Sequence, residues 1–431
     1  MQPLFKGILF FSYHSLRSNF TNEGMSQLLS ENAHNKLWNI GFIHLLIINI
    51  VNSTAFGIIT PITPGYMVNM GTNLTIAGII MGIFPITALL TRPLANVMGD
   101  NLNKKWLIFI AMGLSGVIVV LYAIPTNVIW LVPIRILHGF LFSIAGTVTF
   151  SLGADYIPKI RLGEGIGYLG VGHIIGMAIG PNIAIFLLEH FTYEFCFVLS
   201  GIIMVAVALS VVFIRYRHNS PKAEKIGKTT DKAKFRFNSF IAVEVLPFAG
   251  FAAILSISLG LVNSYLVMMG VQRLIYGIGI YFVVNAVIQV LSRPYLGRLA
   301  DRKGVGYVVV PGFIFVAAAM IIISISYSVW PLLIAALLMA IGTGGTFPAL
   351  QANCLRKVDA ARRTVATGTY FIGFDVGMSI GQMTGGSIID STGFSAAYGM
   401  AAVVALVGLC FYMIFSRYEK YKTKENIADV V

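Results

Sequence analysis

The sequence predicts an all-α membrane protein whose twelve transmembrane helices form two six-helix, pseudo-symmetric bundles. Of its 431 residues, 57% are hydrophobic and 11% are charged, whereas soluble chains carry about 25% charged residues. The apolar residues fall in long runs that approach or exceed the roughly 20 residues a helix needs to cross a bilayer. Motifs of the first half also recur in the second half at a constant offset of 201 residues.

Twelve apolar segments are the predicted spans. They cover residues 38–67, 75–98, 106–124, 128–152, 162–188, 191–215, 240–268, 275–298, 305–327, 329–353, 363–389 and 394–416. They divide the chain into an N-terminal tail at 1–37, a first bundle at 38–215, a linker at 216–239, a second bundle at 240–416 and a C-terminal tail at 417–431. The tail starts either at Met1 or, if the assigned start lies upstream of the real one, at Met25.

The basic residues predict which side of the membrane faces the cytoplasm. Of the 30 lysines and arginines, all but Arg135 and Arg273 fall in the tails, the linker or the loops that share their side. Short loops rich in lysine and arginine stay cytoplasmic. We therefore expect a protein of the cell membrane with both termini in the cytoplasm. The net charge of +13 then reflects topology, and no nucleic-acid partner is expected.

The internal repeat relates loops as well as spans. Arg92-Pro93 corresponds to Arg293-Pro294, and Asp100 corresponds to Asp301. In the fifth and eleventh spans, the matching residues are Gly172, Gly176, Met177, Ile179 and Gly180 with Gly373, Gly377, Met378, Ile380 and Gly381. Repeats of this kind are related by an axis along the membrane normal, and they enclose a midplane substrate site around which the halves rock.

Several function classes are disfavoured by what the sequence lacks. The three cysteines form no CxxC pair, so neither a metal site nor a disulfide framework is indicated. No P-loop, zinc-protease motif or nucleophile elbow appears, so we expect no enzyme, no cofactor and no ATP-driven pump. The expected partners are a small-molecule substrate, protons and membrane lipids, and we expect a monomer.

From residue 37 onward the chain resembles the major facilitator superfamily. Residues 297–304, Gly-Arg-Leu-Ala-Asp-Arg-Lys-Gly, match the family's loop signature G-x-L-A-D-R-x-G. Residues 135–139 resemble its R-x-x-x-G motif, and residues 176–181 resemble the G-x-x-x-G-P part of its antiporter motif, with Ala184 and Ile185 in place of the usual trailing glycines. Together these resemble the twelve-helix drug:proton antiporter branch.

The first-half copy of the loop signature departs from the family pattern. Asn96, Asn101 and Asn103 replace its first glycine, its arginine and its second glycine, while Asp100 is kept. Because asparagine tolerates the left-handed conformation, we expect the turn to survive at Asn103. The weakened signature puts the usual strength of the inner gate in doubt.

Asp375 is the residue for which the sequence most strongly indicates a functional role. It is the only one of 17 acidic residues placed at the middle of a span. A carboxyl group within a bilayer is expensive, and such groups mark proton relays and substrate counter-charges. We predict one of these two roles for Asp375. The alternative is a protonated carboxyl group that only hydrogen-bonds a neighbouring helix.

Arg135 is interpreted as the one basic residue inside a span, because Arg92 and Arg293, near the ends of their spans, are assigned to the adjoining loops, so Arg135 must face the bundle interior or a water-filled cavity. The family resemblance implies a role in coupling, and a structural anchor is the alternative. His138 lies three residues later and shares its helix face. Because histidine titrates near neutral pH, His138 is a further coupling candidate, although a packing role is open.

Gating and helix packing are predicted for two further groups. Asp100 and Asp301 can meet the positive N-terminal end of a helix from the opposite half and so hold an inner gate closed. The other predicted gating residues are Arg92, Arg293, Arg298 and Arg302. Close helix packing and a bend are predicted at Gly172, Gly176, Gly180, Pro181, Gly373, Gly377 and Gly381.

The predicted substrate pocket draws on polar and aromatic residues of spans that should line a cavity. They are Asn52, Phe84, Tyr265, Tyr281, Asn285, Gln289 and Tyr370. The favoured function is proton-coupled efflux of small amphipathic molecules by alternating access, and the alternative is a proton- or solute-coupled importer of a nutrient or metabolite. A membrane enzyme or a sensor would need a catalytic cluster or a soluble domain that the sequence does not show.

Overall fold

The computed structural model describes residues 37–158, 161–216, 241–359 and 362–428, and these fold almost entirely as helix. The long helices are α1 (Ile40–Asn69), α2 (Leu74–Asn101), α3 (Lys104–Val120), α4 (Leu131–Tyr156), α5 (Leu162–His190), α6 (Tyr193–Val211), α7 (Leu246–Gln272), α8 (Ile280–Lys303), α9 (Gly306–Ile325), α10 (Val329–Arg356), α11 (Arg363–Thr392) and α12 (Phe394–Ala428). No strand occurs in these ranges. The predicted all-α fold class is confirmed.

Ten of these helices are individually long and apolar enough to cross a membrane, and α8 and α11 are not among them. The sequence of α8 includes five charged residues, the apolar run of α11 is interrupted by polar residues and by Asp375, and both helices lie where the two halves meet. The N-terminal tail at 1–37 falls outside the described residues except for Leu37, and the linker at 216–239 falls outside them except for Tyr216. Beyond the predicted end at residue 416, α12 continues as helix to Ala428.

Asparagine or threonine side chains cap the N-terminal ends of four of the helices. The carboxamide oxygens of Asn39, Asn73 and Asn103 accept hydrogen bonds from backbone N–H groups in the first turns of α1, α2 and α3. The Thr192 hydroxyl accepts the corresponding bond at α6. Each satisfies an N–H group that the helix itself cannot pair.

The loop signature forms different turns in its two copies. Gly304 ends α8 with φ 102°, which L side chains rarely adopt, so glycine is needed there. Its repeat mate Asn103 has φ −67° and is extended. The expected left-handed turn at Asn103 is therefore wrong. The residue instead uses its side chain to cap α3.

The same helix pairs pack in both halves. In the first half α1 packs on α5, α2 on α4 and α3 on α6. In the second half the equivalent pairs are α7 with α11, α8 with α10 and α9 with α12. Each half has buried apolar clusters of its own, so the two halves are separately cored bundles.

Glycine rows allow the closest helix contacts inside each half. A Cβ atom on Gly373, Gly377 or Gly381 would collide with the α7 backbone, at Ala249, Ala253 and Ile257 respectively. Gly176 and Gly180 meet the α1 backbone in the same way, and Gly172 lies against α1 side chains. These contacts pack α5 and α11 onto their own halves through small residues. The helix α5 continues through Pro181 to His190.

The two halves meet along three helix pairs. They are α2 with α11, α5 with α8, and α1 with α7. We call the end of the molecule where α6 stops and α7 starts the linker side, and the opposite end the far side. The α2–α11 contact is the more extensive of the two symmetry-related interfaces.

The Gly377 contact predicts a strong effect of added volume. Replacing Gly377 with leucine places a side chain against the Ala253 carbonyl oxygen and the Ser256 hydroxyl, which forces α11 away from α7. Overpacking of this kind costs about 1–3 kcal/mol, so the thermal unfolding midpoint of the purified protein in detergent should fall by several degrees. Gly399→Ala is the control because no atom lies within 4 Å of its added methyl group, and it should leave the midpoint unchanged or slightly raised. Equal midpoints for the two variants would contradict the packing assignment.

Candidate functional site

An ion pair joins the two halves near the middle of α2 and α11. The Asp375 carboxylate accepts hydrogen bonds from Arg92, with an Nε–Oδ2 distance of 2.7 Å and an Nη2–Oδ1 distance of 3.3 Å. The side chains are 9% and 27% exposed, respectively. This two-point geometry is the strong form of a carboxylate–guanidinium pair. The other ion pairs among the described residues each stay within one half.

Neighbouring turns of α11 complete this contact. One turn before Asp375, the Phe371 ring lies under Arg92, with the guanidinium carbon 5.0 Å from the ring centroid. One turn after it, the Ser379 hydroxyl donates a hydrogen bond to the Gly82 carbonyl oxygen at 2.8 Å. A single face of α11 thus contacts α2 through an aromatic ring, a carboxylate and a hydroxyl group.

Sequence reasoning found Asp375 but missed its partner. Arg92 was assigned to a loop and to gating, but α2 runs on to Asn101, so Arg92 lies inside the helix. Its repeat mate Arg293 likewise lies inside α8, against α5. Arg135 is therefore not the only basic residue in the membrane interior. The repeated Arg-Pro dipeptide was the available signal, because it falls well before the end of each span.

Arg135 and His138 form a second cluster, inside the first half. Arg135 is 3% exposed, and its guanidinium carbon lies 5.7 Å and 5.5 Å from the ring centroids of Phe84 and Tyr122. Its Nη2 group points at the Met81 sulfur atom. His138 is fully buried, and its Nδ1 atom lies 3.2 Å from the Tyr122 hydroxyl. Among the described residues no carboxylate forms an ion pair with Arg135, so ring faces supply its favourable electrostatic contacts.

The three predicted coupling residues therefore fall in two places. Arg135 and His138 share an aromatic cluster, while Asp375 pairs with Arg92 at the boundary between the halves. The structure places each of them away from exposed surface, and their role in coupling stays a prediction.

Four of the six predicted gating residues, Asp100, Asp301, Arg298 and Arg302, lie on the linker side. Asp301 pairs with Arg356 of α10, in its own half, at 2.8 Å. Asp100 is exposed at the end of α2, and Arg298 and Arg302 are exposed on the last turns of α8. No contact between the halves through Asp100 or Asp301 is seen within the described residues, so their gating role stays a prediction.

The hydrogen bonds seen between the two halves lie between the far side and the Arg92–Asp375 ion pair. On the far side, the Thr75 hydroxyl donates to the Asp390 carboxylate at 2.8 Å. The Ser379 bond and the Arg92 pair follow toward the middle. Beyond Arg92 on the linker side, none joins the halves within the parts of the chain that are described.

The predicted pocket residues mostly make contacts within their own half. Tyr265, Tyr281, Tyr370 and Phe84 are buried. The Asn285 amide donates to the Ala336 carbonyl oxygen, and the Gln289 amide donates to the Thr343 hydroxyl, both at 3.1 Å from α8 to α10. Asn52 keeps a buried carboxamide oxygen without a hydrogen bond among the described residues. Their role in substrate binding stays a prediction.

Comparison with known proteins agrees with this architecture. The model of the Major Facilitator Superfamily matches residues 45–279 and 268–429. An uncharacterized MFS-type transporter of Methanocaldococcus jannaschii is 24% identical over 374 residues, covering 84% of this chain and 94% of that protein. The multi-drug resistance efflux pump PmrA of Streptococcus pneumoniae is 23% identical over 383 residues, covering 85% of this chain and 93% of that protein.

Solved structures show the same fold. The crystal structure of the nucleoside transporter NupG superposes with a TM-score of 0.70 at 13% identity, covering 87% of this chain and 99% of that one. At this identity the likeness concerns the fold alone. The family model covers nearly all of the described chain, and the fold of two helical halves fits it. The chain belongs to the Major Facilitator Superfamily and is a multi-pass membrane transporter.

Proposed function

We propose that this transporter exports small amphipathic molecules in exchange for protons. The observation that carries the proposal is the Arg92–Asp375 pair, which joins α2 of one half to α11 of the other. Alternating access requires the halves to separate on one side and close on the other. The Arg92–Asp375 pair joins the two halves, and its carboxylate can take up a proton. Protonation of Asp375 is therefore suited to control the separation of the halves.

The proposed coupling follows from charge balance. While Asp375 is ionised, it neutralises Arg92 and keeps α2 against α11. A proton on the carboxylate removes its charge, and the guanidinium then loses the attraction that offset its burial. The halves are then free to move apart at this interface. Release of the proton restores the pair and resets the cycle.

Relatives support the direction of transport in this proposal. PmrA is a multi-drug resistance efflux pump, and its similarity extends over most of both chains. The alternative direction, import of a nutrient or metabolite, uses the same machinery and is distinguished by measuring the direction of flux. We further propose the cell membrane as the location, with both termini and the linker in the cytoplasm, which the clustering of basic residues supports.

Removal of the Asp375 charge tests the coupling. Asp375→Asn preserves the side-chain shape but can neither ionise nor carry the proton. In proteoliposomes with an imposed pH gradient, we expect the rate of uphill transport of amphipathic dyes to fall about 100-fold or more, because a proton-transfer group typically contributes about 10²–10⁴-fold to a rate, while downhill flux persists. Glu189→Gln is the matched control, because Glu189 is exposed at the end of α5. Uphill transport by Asp375→Asn at the wild-type rate would overturn the proposal.

A double-mutant cycle tests whether the two side chains act as a pair. Arg92→Gln and Asp375→Asn should each destabilise the protein, and the double variant should lose less than the sum. We expect a coupling energy of about 1–2 kcal/mol, within the range measured for residues in contact, because Arg92 keeps some solvent exposure that screens the pair.

The control cycle uses the exposed Arg356–Asp301 pair, which should give less than about 1 kcal/mol. Both cycles are measured by thermal unfolding in detergent. Additive effects at Arg92 and Asp375 would show that the ion pair does not couple the halves.

A further inference from the structure

Two buried nitrogen atoms on one face of α4 lack a hydrogen-bond partner among the described residues. One is Nε of Arg135, a residue that is 3% exposed, and the other is Nε2 of His138, which is fully buried. The two residues are three positions apart on one helix, so their side chains are neighbours. A buried polar group without a partner is costly, and more so when it is charged.

Tyr122 determines which ring nitrogen of His138 carries a proton. The Tyr122 hydroxyl group interacts with the Arg135 guanidinium, which has only N–H donors, so the hydroxyl oxygen is the acceptor there. The hydroxyl hydrogen is then directed at Nδ1 of His138, 3.2 Å away, and Nδ1 accepts it. The single proton of a neutral imidazole is therefore on Nε2. Both unpartnered atoms, Nε of Arg135 and Nε2 of His138, are N–H donors.

The described residues supply no counter-charge for Arg135. The titratable groups that its charge affects are Tyr122, His138 and Tyr265, and none of them is a carboxylate. Its Nη2 group contacts the sulfur atom of Met81, which is a weak acceptor. A charge in a low-dielectric interior is costly unless it is paired. A negative group from outside these residues would therefore stabilise the guanidinium.

The surroundings of the two donors favour a small ion. The guanidinium carbon of Arg135 lies 5.7 Å and 5.5 Å from the ring centroids of Phe84 and Tyr122. The ring centroid of His138 lies 5.0 Å and 5.8 Å from the same two centroids. All four residues are buried. A closed site with one positive charge, two N–H donors and aromatic walls suits a small anion and excludes a cation.

The helical scaffold does not itself require polar groups at this level. The 201-residue offset relates Arg135 and His138 to Ala336 and Met339 of α10. Both of these residues are buried as well, so the second half fills the equivalent positions with apolar side chains. Apolar residues at such positions are often as stable as buried charges or more so. The cost of a buried arginine in the first half is therefore consistent with a ligand that offsets it.

We propose that Arg135 and His138 bind a small monovalent anion such as chloride. Nε of Arg135 and Nε2 of His138 donate hydrogen bonds to the ion, and the guanidinium balances its charge. The ion completes the polar cluster inside the first half. This role is separate from the proton coupling that the family resemblance implies for the two residues, and it does not depend on the direction of transport.

Binding of radioactive chloride tests the site directly. It is measured by scintillation proximity on the purified full-length protein in detergent, with gluconate replacing chloride at constant ionic strength. The wild type should bind chloride saturably. Arg135→Gln should weaken binding at least about tenfold, as expected for a lost charge-assisted hydrogen bond, and Arg135→Lys should retain part of the affinity. His138→Phe keeps an aromatic ring but removes the second donor, so it should also weaken binding.

Two tyrosine variants test the role of the Tyr122 hydroxyl group. Tyr122→Phe removes the group that orients the His138 imidazole, and it should weaken chloride binding about two- to tenfold. Tyr398→Phe is the matched control, because Tyr398 is equally buried and its hydroxyl group has no partner among the described residues, but it lies in the second half. It should bind chloride like the wild type. Equal losses in the two variants would contradict a site at Tyr122.

Thermal unfolding provides a second measurement on the same variants. An ion that binds only the folded protein raises the unfolding midpoint, so the wild-type midpoint should rise by about 2–4 °C as chloride replaces gluconate. Arg135→Gln should show no such rise. If Arg135→Gln does not fold, His138→Phe and Tyr122→Phe decide the result. Wild-type protein that neither binds radioactive chloride nor is stabilised by it would overturn the proposal, as would unchanged chloride affinity in the variants of Arg135 and His138.

Discussion

A charged side chain within a bilayer must find a counter-charge or water, and this constraint organises the centre of the molecule. Asp375 and Arg92 meet it by satisfying each other, with two hydrogen bonds between the carboxylate and the guanidinium. Because the two residues belong to opposite halves, the favourable arrangement exists only while the halves are together at that level. The need of Asp375 and Arg92 for a counter-charge therefore favours the arrangement in which the two bundles are in contact at this level.

The bundles themselves are held by a different kind of contact. Rows of glycine on α5 and α11 place their backbones against α1 and α7 within the same half. Lipid supplies no hydrophobic driving force between helices, so close packing of small residues is the main attraction available. These contacts hold the helices of each half together as one bundle.

The repeat relates the α2–α11 interface to the α5–α8 interface, but the two differ in packing. Gly82 and Gly386 lie where α2 and α11 touch, and a side chain on either would collide with the other helix. Their repeat mates on α8 and α5 are Val283 and Ile185, which carry branched side chains in place of glycine. The first interface is consequently tight and polar at its centre, whereas the second contains an apolar crevice. The same repeated scaffold thus provides two interfaces with different packing and polarity.

Much of this architecture was already determined by the sequence. Hydrophobic runs, the placement of lysine and arginine, and the 201-residue offset depend on local composition and spacing, so they predict the twelve helices and two halves without knowledge of contacts. Asp375 stood out for the same reason, as a carboxyl group within an apolar run. What only the tertiary structure decided was which groups meet. Arg92 lies 283 residues from Asp375, Asp301 pairs with Arg356 inside its own half, and Asn103 caps a helix where a left-handed turn was expected. These outcomes depend on the register and rotation of packed helices, which residue spacing along the chain does not specify.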